Sequence, residues 1–285
     1  YLGMVRPYLQ QGKIKSIRVS TRPDCINEDN LDLLASYGVS MVELGVQSMD
    51  DEVLKASGRD YDSATVRKSC TQIKRKHLQL GIQLMIGLPG DTPLRDIATA
   101  RDTISLQPQA VRIYPTLVLA GTKLAAMYNQ GRYTPLDLEE AVRISREMYM
   151  LFCYHEIPVI RMGLQPGSEL QNPGIVQAGP FHSSFGELVE QAVFLEQAYR
   201  AIRSLWGKHG RQTDLYLFVN WRDTSKMIGH RRANILWLQH DLRLERIEVK
   251  GSYLQQPDSI GVGRRDTEYP EITVTRQNLL DEMVL

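Results

Sequence analysis

The sequence predicts an α/β protein: a parallel sheet clothed by helices over residues 1–183, followed by a long helix and a small α/β module over residues 184–285. Three observations predict it. Short apolar, β-branched runs alternate with helical stretches of about 12 to 18 residues, the pattern of βαβ units. Most runs end in Gly, Pro or hydroxyl residues, which turn a chain from strand to helix. The charge also changes along the chain: residues 200–250 carry 11 basic and 5 acidic side chains, against 20 and 22 in residues 1–199.

The elements follow in order. A helical stretch at 1–12 (YLGMVRPYLQQG) stops at Gly12, and residues 14–20 (IKSIRVS) form the first strand. Residues 26–37 place Leu31, Leu33 and Leu34 at helical spacing, and Gly38 closes that helix at its C′ position. Strand 41–47 is followed by helix 62–77, strand 82–87 by helix 93–106, and strand 111–119 by helix 138–155; strand 158–164 ends the series. With helices on both faces of the sheet, such strands are expected to be apolar throughout. The chain opens at Tyr1 without an initiator methionine. Two readings stand: an amputated or processed N-terminus with βα units upstream, or a sheet complete at five strands. Beyond it come helix 184–209, strand 214–219, short helix 223–228, the turn Gly229-His230-Arg231-Arg232, helix 233–241 and strand 245–250. Residues 251–285 are punctuated by Pro and Gly, with a strand expected at 271–275 and no function assigned.

Composition excludes several classes. At 285 residues, 42% apolar, 24% charged and net charge +1, the chain is neither disordered, collagen-like nor a coiled coil. No apolar run reaches the roughly 18 residues of a membrane span, and no signal peptide is legible, so a cytoplasmic protein is expected. The three cysteines, Cys25, Cys70 and Cys153, are too far apart for a local metal motif or a disulfide framework and read as free thiols.

In a parallel sheet, binding and catalysis gather at the carboxyl ends of the strands. Those ends read Ser20-Thr21-Arg22-Pro23-Asp24, Gln47-Ser48, Gly87-Leu88-Pro89-Gly90, Tyr114-Pro115-Thr116 and Gly163-Leu164-Gln165-Pro166. A turn explains any one of them; five together favour a site.

The blocks STRPD (20–24), ELGVQS (43–48), DDEVL (50–54), SGR (57–59), GLPGDT (87–92), VRIYPTLVLAGT (111–122), IPVIRMGLQP (157–166) and AGPFH (178–182), in that order, resemble the radical S-adenosylmethionine (SAM) superfamily. Bacterial relatives of the Elongator catalytic subunit are the most similar group. The resemblance implies a partial (βα) barrel of radical SAM type, here lacking its first strands, and a radical SAM enzyme that reductively cleaves SAM to a 5′-deoxyadenosyl radical. Its cofactors would be SAM and, in the full-length protein, a [4Fe–4S] cluster fed by an electron donor. The CxxxCxxC loop that supplies three thiolates to such a cluster, and the Gly-Gly strand end that meets the SAM amino group, are absent from this sequence. This chain alone is therefore expected to bind no cluster, to contain no metal ligand and to be inactive as it stands. A naturally cluster-less relative is the alternative.

By the same resemblance, Ser20, Thr21, Arg22, Glu43, Gln47 and Ser48 face the SAM ribose and carboxylate, and Arg59 suits the carboxylate by two parallel hydrogen bonds. Gln83, Met85, Gly87 and Leu88 belong to the element usually set against adenine, while Arg112, Tyr114, Arg161 and Gln165 point towards the substrate. Arg112 and Arg161 are charges in mid-strand, where burial without a partner is costly. A functional role and a buried salt bridge, with Glu43 as partner, both remain open for them. No catalytic residue is assigned.

The order strand, helix, glycine turn, helix, strand in the second half resembles the core of a KH domain, which grips a nucleic-acid backbone at a GXXG loop. Here Arg232 stands where the motif has its second glycine. Lys226, His230, Arg231 and Arg232 would meet phosphates; a structural module with a solvated basic face is the other reading. The competing functions are a radical SAM enzyme on an unknown substrate, the same enzyme acting on tRNA, and a non-radical adenosyl-ligand or RNA-binding protein. An aldolase-type barrel is disfavoured, because no lysine stands at a strand end.

Overall fold

The structure is a computed structural model that describes residues 1–165, 167, 170, 172 and 174–282; Pro166, expected at the last strand end, lies outside them. The chain divides into two compact units, Tyr1–Ser183 and Ser184–Leu285.

The first unit holds five parallel strands: β1 (Ile17–Thr21), β2 (Val39–Gln47), β3 (Gln79–Ile86), β4 (Ala110–Pro115) and β6 (Val159–Met162), hydrogen-bonded in the order β1-β2-β3-β4-β6. Between β4 and β6, β5 (Val118–Leu119) leaves the sheet and pairs antiparallel with β7 (Val176–Ala178). The run expected as one strand at 111–119 is thus broken at Pro115, which has no N–H for a ladder. Helix α1 (Leu2–Gln10) precedes the sheet, and α2 (Glu28–Ser36), α3 (Asp51–Ala56), α4 (Ser63–Arg75), α5 (Pro93–Ser105), α6 (Lys123–Asn129) and α7 (Leu138–Tyr154) connect it. Side-chain caps start α2 to α7: Asn27 accepts from the Asn30 N–H, Asp62 from Thr65 and Asp137 from Glu140, each at 2.8 Å. Each cap contributes about 1 kcal/mol.

Strand order explains the faces of the sheet. It runs in one direction, so every right-handed crossover lands on the same side. Val42, Leu44, Val46, Leu80, Ile82, Leu84, Ile86, Val111 and Ile113 are fully buried on that side. The alternate residues, among them Arg18, Ser20, Glu43, Gln83 and Arg112, face the other way. The expectation that helices cover both faces is therefore corrected: this sheet has one packed face and one polar face, as a partial barrel has an outside and an inside.

The second unit contains α8 (Phe185–His209), β8 (Asp214–Asn220), α9 (Thr224–Ile228), α10 (Ala233–Asp241), β9 (Arg246–Ser252), β10 (Ser259–Arg264), β11 (Ile272–Thr275) and α11 (Arg276–Glu282). Its sheet runs β11-β10-β8-β9, with β8 and β9 parallel and β10 antiparallel to both β8 and β11. Strand β10 (SIGVGR) escapes a propensity reading because of its glycines. They serve close packing: a Cβ on Gly261 would come within 2.6 Å of Pro270. Gln197 of α8 ties down this end of the unit by donating to the carbonyls of Asp258 (2.9 Å) and Val274 (3.3 Å).

Candidate functional site

The polar face of the first unit is built in transverse rows. Ser20, Glu43 and Gly81 stand in register across β1, β2 and β3, and Gly45, Gln83, Arg112 and Arg161 across β2, β3, β4 and β6. Glu43, 2% exposed, organises the first row. Its carboxylate accepts from Ser20 Oγ at 3.2 Å, and its Oε2 lies 3.1 Å from Arg112 Nε and 3.9 Å from Arg18 Nε. The Arg112 contact is an ion pair whose angle leaves Nε without an aligned hydrogen bond. Arg112 also donates to the Tyr114 hydroxyl (3.2 Å). Of the two mid-strand arginines, Arg112 therefore takes the Glu43 salt bridge. Arg161 donates to the neutral Gln165 oxygen (3.1 Å) and has no carboxylate partner among the described residues.

At the carboxyl edge of β2, Gln47 is 6% exposed yet adopts φ +69°, the one non-glycine residue of this sheet with a left-handed backbone among those described. The register with β3 slips there, between Gly45 and Gln47. Such a conformation costs about 1–3 kcal/mol and persists where surroundings enforce it. Tyr61 does so, its hydroxyl donating to the Gly45 carbonyl (2.8 Å) and the Val46 carbonyl (3.3 Å). Gly45 makes room for the result, since a Cβ there would lie 2.7 Å from Gln47 Nε2. Gln47 in turn accepts from Gln83 Nε2 at 3.3 Å.

The other expected residues fall as follows. Thr21 is in register with Leu44, on the packed face. Arg22 grips Asp24 with two hydrogen bonds of 2.9 and 2.7 Å, holding that carboxyl below its ordinary range. Ser48, 1% exposed, turns to Thr99 of α5 (3.2 Å). Met85 stands in register with Tyr114. Gly87 has φ +68°, and its carbonyl accepts from the Tyr133 hydroxyl (2.6 Å); Leu88 is buried. Arg59 follows α3 with a buried Nε that has no hydrogen-bond partner, and among the described residues no carboxylate lies within ion-pair distance of it.

Sequence reading missed a carboxyl pair. Asp96, 2% exposed at the start of α5, and Asp91 of the preceding loop are electrostatic neighbours, and the Oδ2 atom of each is buried without a hydrogen-bond partner. Burial, then Asp91's charge, raises the Asp96 pKa far above the carboxylate range and favours its protonated form. The Gly87 N–H donates to Asp96, which ties the pair to the β3–α5 loop. A sequence motif GDT opening a helix looks like a capping signal, and Thr92 does cap α5; nothing local reveals that Asp96 points inwards.

The unpartnered Arg59 Nε has the chemistry to take a carboxylate. A [4Fe–4S] cluster does not fit. Cys25 is exposed, Cys153 is half-buried in α7, and burial in α4 pushes the Cys70 thiol up to about 11, away from the thiolate a cluster needs. Among the described residues no three His, Cys, Asp or Glu side chains converge as metal ligands.

In the second unit, Lys226 lies 3.4 Å from Asp223 and 3.9 Å from Glu190, so its charge is committed within the module. His230 donates its backbone N–H to Gln191 (2.8 Å). Arg231 and Arg232 are exposed, have no ion-pair partner among the described residues, and both adopt left-handed backbone (φ +51° and +65°). The position where a GXXG loop has its second glycine thus has the backbone conformation that glycine adopts without strain.

An open parallel βα sheet with a polar inner face and a site at its carboxyl edge defines a class of barrel-type α/β proteins. Comparison with known proteins narrows it. Residues 4–104 match the radical SAM superfamily, and residues 108–194 match the Radical_SAM C-terminal domain. The chain belongs to the radical SAM superfamily. It is 32% identical over 140 residues to "Uncharacterized protein MJ0486" of Methanocaldococcus jannaschii, covering 48% of this chain and 44% of that protein. It is 31% identical over 128 residues to the tRNA uridine(34) acetyltransferase of Dehalococcoides mccartyi, covering 44% of this chain and 28% of that one. The archaeal Elp3 of Methanocaldococcus infernus, solved with an N-terminal deletion, superposes with TM-score 0.56 at 26% identity, over 70% of this chain and 47% of that chain. The chain spans less than half the length of these relatives.

Proposed function

We propose that this chain is the SAM-holding and substrate-facing part of a radical SAM enzyme. The single observation that carries the reading is Arg59: a guanidinium with a buried, unpartnered Nε, in a family whose cofactor ends in a carboxylate. Arg59 meets that carboxylate, the strained Gln47 and the Ser20–Glu43 pair bound the ribose side, and Gln83, Met85 and the Gly87-Leu88 backbone line the adenine side. When bound, SAM supplies an adenosyl group for hydrogen abstraction, a chemistry that requires a reducing cluster. The chain's own thiols do not fit such a cluster, so its cysteines and the electron donor come from outside these 285 residues, and this chain alone is inactive in that reaction. No described helix is long and apolar enough to cross a membrane.

One calorimetric experiment tests the reading. S-adenosylhomocysteine, which keeps the carboxylate and the adenosine, is expected to bind the chain, and Arg59→Gln to weaken it about ten- to a hundredfold while adenosine affinity is unchanged. Anaerobic reconstitution of the same sample is expected to leave it without stoichiometric iron. Equal binding of the homocysteine ligand by wild type and variant would remove Arg59 from the site, and four irons per chain, roughly the content of one cubane, would overturn the cluster statement.

A second reading, tRNA as substrate, is favoured by one pairing of observations. The relatives include tRNA uridine(34) acetyltransferases, and the Arg231-Arg232 turn holds two exposed cations with no ion-pair partner among the described residues. With Lys226 engaged by Asp223 and Glu190, Arg231 and Arg232 are left to meet phosphates, with His230 beside them. The double replacement Arg231→Ala, Arg232→Ala is expected to weaken tRNA binding irrespective of sequence and to lower its salt slope by about one unit per lost contact. Unchanged binding in the double variant sinks this reading.

A further inference from the structure

We propose that the polar face of the sheet carries an oxyanion-binding site at Arg161 and Arg112, and hence that the substrate presents a carboxylate or phosphoryl group there. This rests on the reading of the face as a SAM and substrate pocket and names the class of molecule it takes. The argument is one of uncompensated charge. Among the described residues, three guanidiniums of the strands belong to this face, Arg18, Arg112 and Arg161, against one carboxylate, Glu43. Glu43 is spent on its neighbours: Arg112 at 3.1 Å and, more loosely, the half-exposed Arg18 at 3.9 Å. Among the described residues, Arg161 has only the neutral Gln165 oxygen.

Arg161 is nevertheless placed beside the paired arginine. The register of β4 with β6 sets Arg161 opposite Arg112, on parallel strands about 4.8 Å apart. Directly opposed like charges are destabilising unless something neutralises them. The strand slips to achieve this: Val111 pairs with Val159, yet Arg112 pairs with Arg161, so one residue of β6 is left over between the two pairs. The same row continues through Gln83 to Gly45, whose missing side chain leaves room for the neutral amide of Gln47, so the row adds no carboxylate beside the arginines. An oxyanion at the Arg112–Arg161 pair meets a guanidinium fork from Arg161, the Arg112 guanidinium beside it and the Tyr114 hydroxyl to which Arg112 donates. A fork offers two parallel donors to a carboxylate or phosphoryl group, which a lysine cannot do. SAM also has a carboxylate, and Arg59 stands at the other end of the site for it, after α3.

The test uses the chain as it is, with inorganic pyrophosphate and S-adenosylhomocysteine as separate calorimetric probes at low ionic strength. Wild type is expected to bind pyrophosphate, Arg161→Gln to weaken it about ten- to a hundredfold, Arg161→Lys to recover part of the loss, and Arg59→Gln to leave it unchanged. S-adenosylhomocysteine is expected to respond in the opposite way, to Arg59→Gln and not to Arg161→Gln. Pyrophosphate binding that is absent from wild type, or unaltered in Arg161→Gln, overturns the proposal. So does loss of S-adenosylhomocysteine affinity in Arg161→Gln, which would hand this arginine to the cofactor. Pyrophosphate binding that depends on Arg161 in a chain that ignores S-adenosylhomocysteine would support the oxyanion site and overturn the adenosyl reading alone.

Discussion

Replacing Glu43 by alanine is expected to lower unfolding stability by about 3–5 kcal/mol, the cost of leaving one partner of a buried ion pair uncompensated. Glu43 is 2% exposed and Arg112's side chain 20%, so neither recovers full hydration when the other is lost. Ser20 loses its acceptor as well. Urea unfolding of Glu43→Ala, Arg112→Met and the double variant closes a thermodynamic cycle. The double variant is expected to be more stable than Glu43→Ala, because a methionine on that strand brings no charge to bury. A loss below about 1 kcal/mol for Glu43→Ala would show that the pair behaves as a solvated surface contact instead.

The second large effect is a dependence on pH. Asp96 holds its proton when folded, because burial and then Asp91's charge oppose ionisation, whereas in the unfolded chain it ionises near its ordinary value of 3.8. The sign follows from proton counts. Above that ordinary value the unfolded chain has released a proton that the native protein keeps, so stability falls as pH rises from mildly acidic values through neutrality. The slope from this one group is about 1.4 kcal/mol per pH unit until Asp96 ionises in the native state. Asp96→Asn, an amide that does not titrate, is expected to flatten the profile and to be more stable than wild type above neutral pH. Thermal unfolding at a series of pH values reads this directly. Parallel profiles for wild type and Asp96→Asn would show that Asp96 does not hold its proton in the native state.

Both effects concern residues that the sequence exposed to very different degrees. Glu43, Arg112 and Arg161 stood out as charges within apolar strands, and a Glu43 salt bridge was one of two readings open for the arginines. Which arginine takes it was not legible, because the choice depends on the register of β2, β3, β4 and β6. Gln47 was expected at the site, but its left-handed backbone arises from the slip against β3 and from Tyr61, two elements away. Asp91 and Asp96 read as ordinary residues of a helix start, and only the packing around α5 makes them a buried pair.

The sequence by itself determined the alternation of strands and helices, the glycine and proline punctuation of the carboxyl edges and the order of motifs that marks the superfamily. These depend on local periodicity and turn chemistry, which neighbouring residues set among themselves. The tertiary structure alone decided that one face of the sheet is polar, since a strand order running one way puts every right-handed crossover on the other. It also decided that Glu43 pairs with Arg112 while Arg161 has no carboxylate partner among the described residues, and that Asp91 and Asp96 are buried side by side, which raises the Asp96 pKa. Those outcomes are pairings between residues on separate strands, helices and loops, and burial and register arise only when the chain has closed on itself.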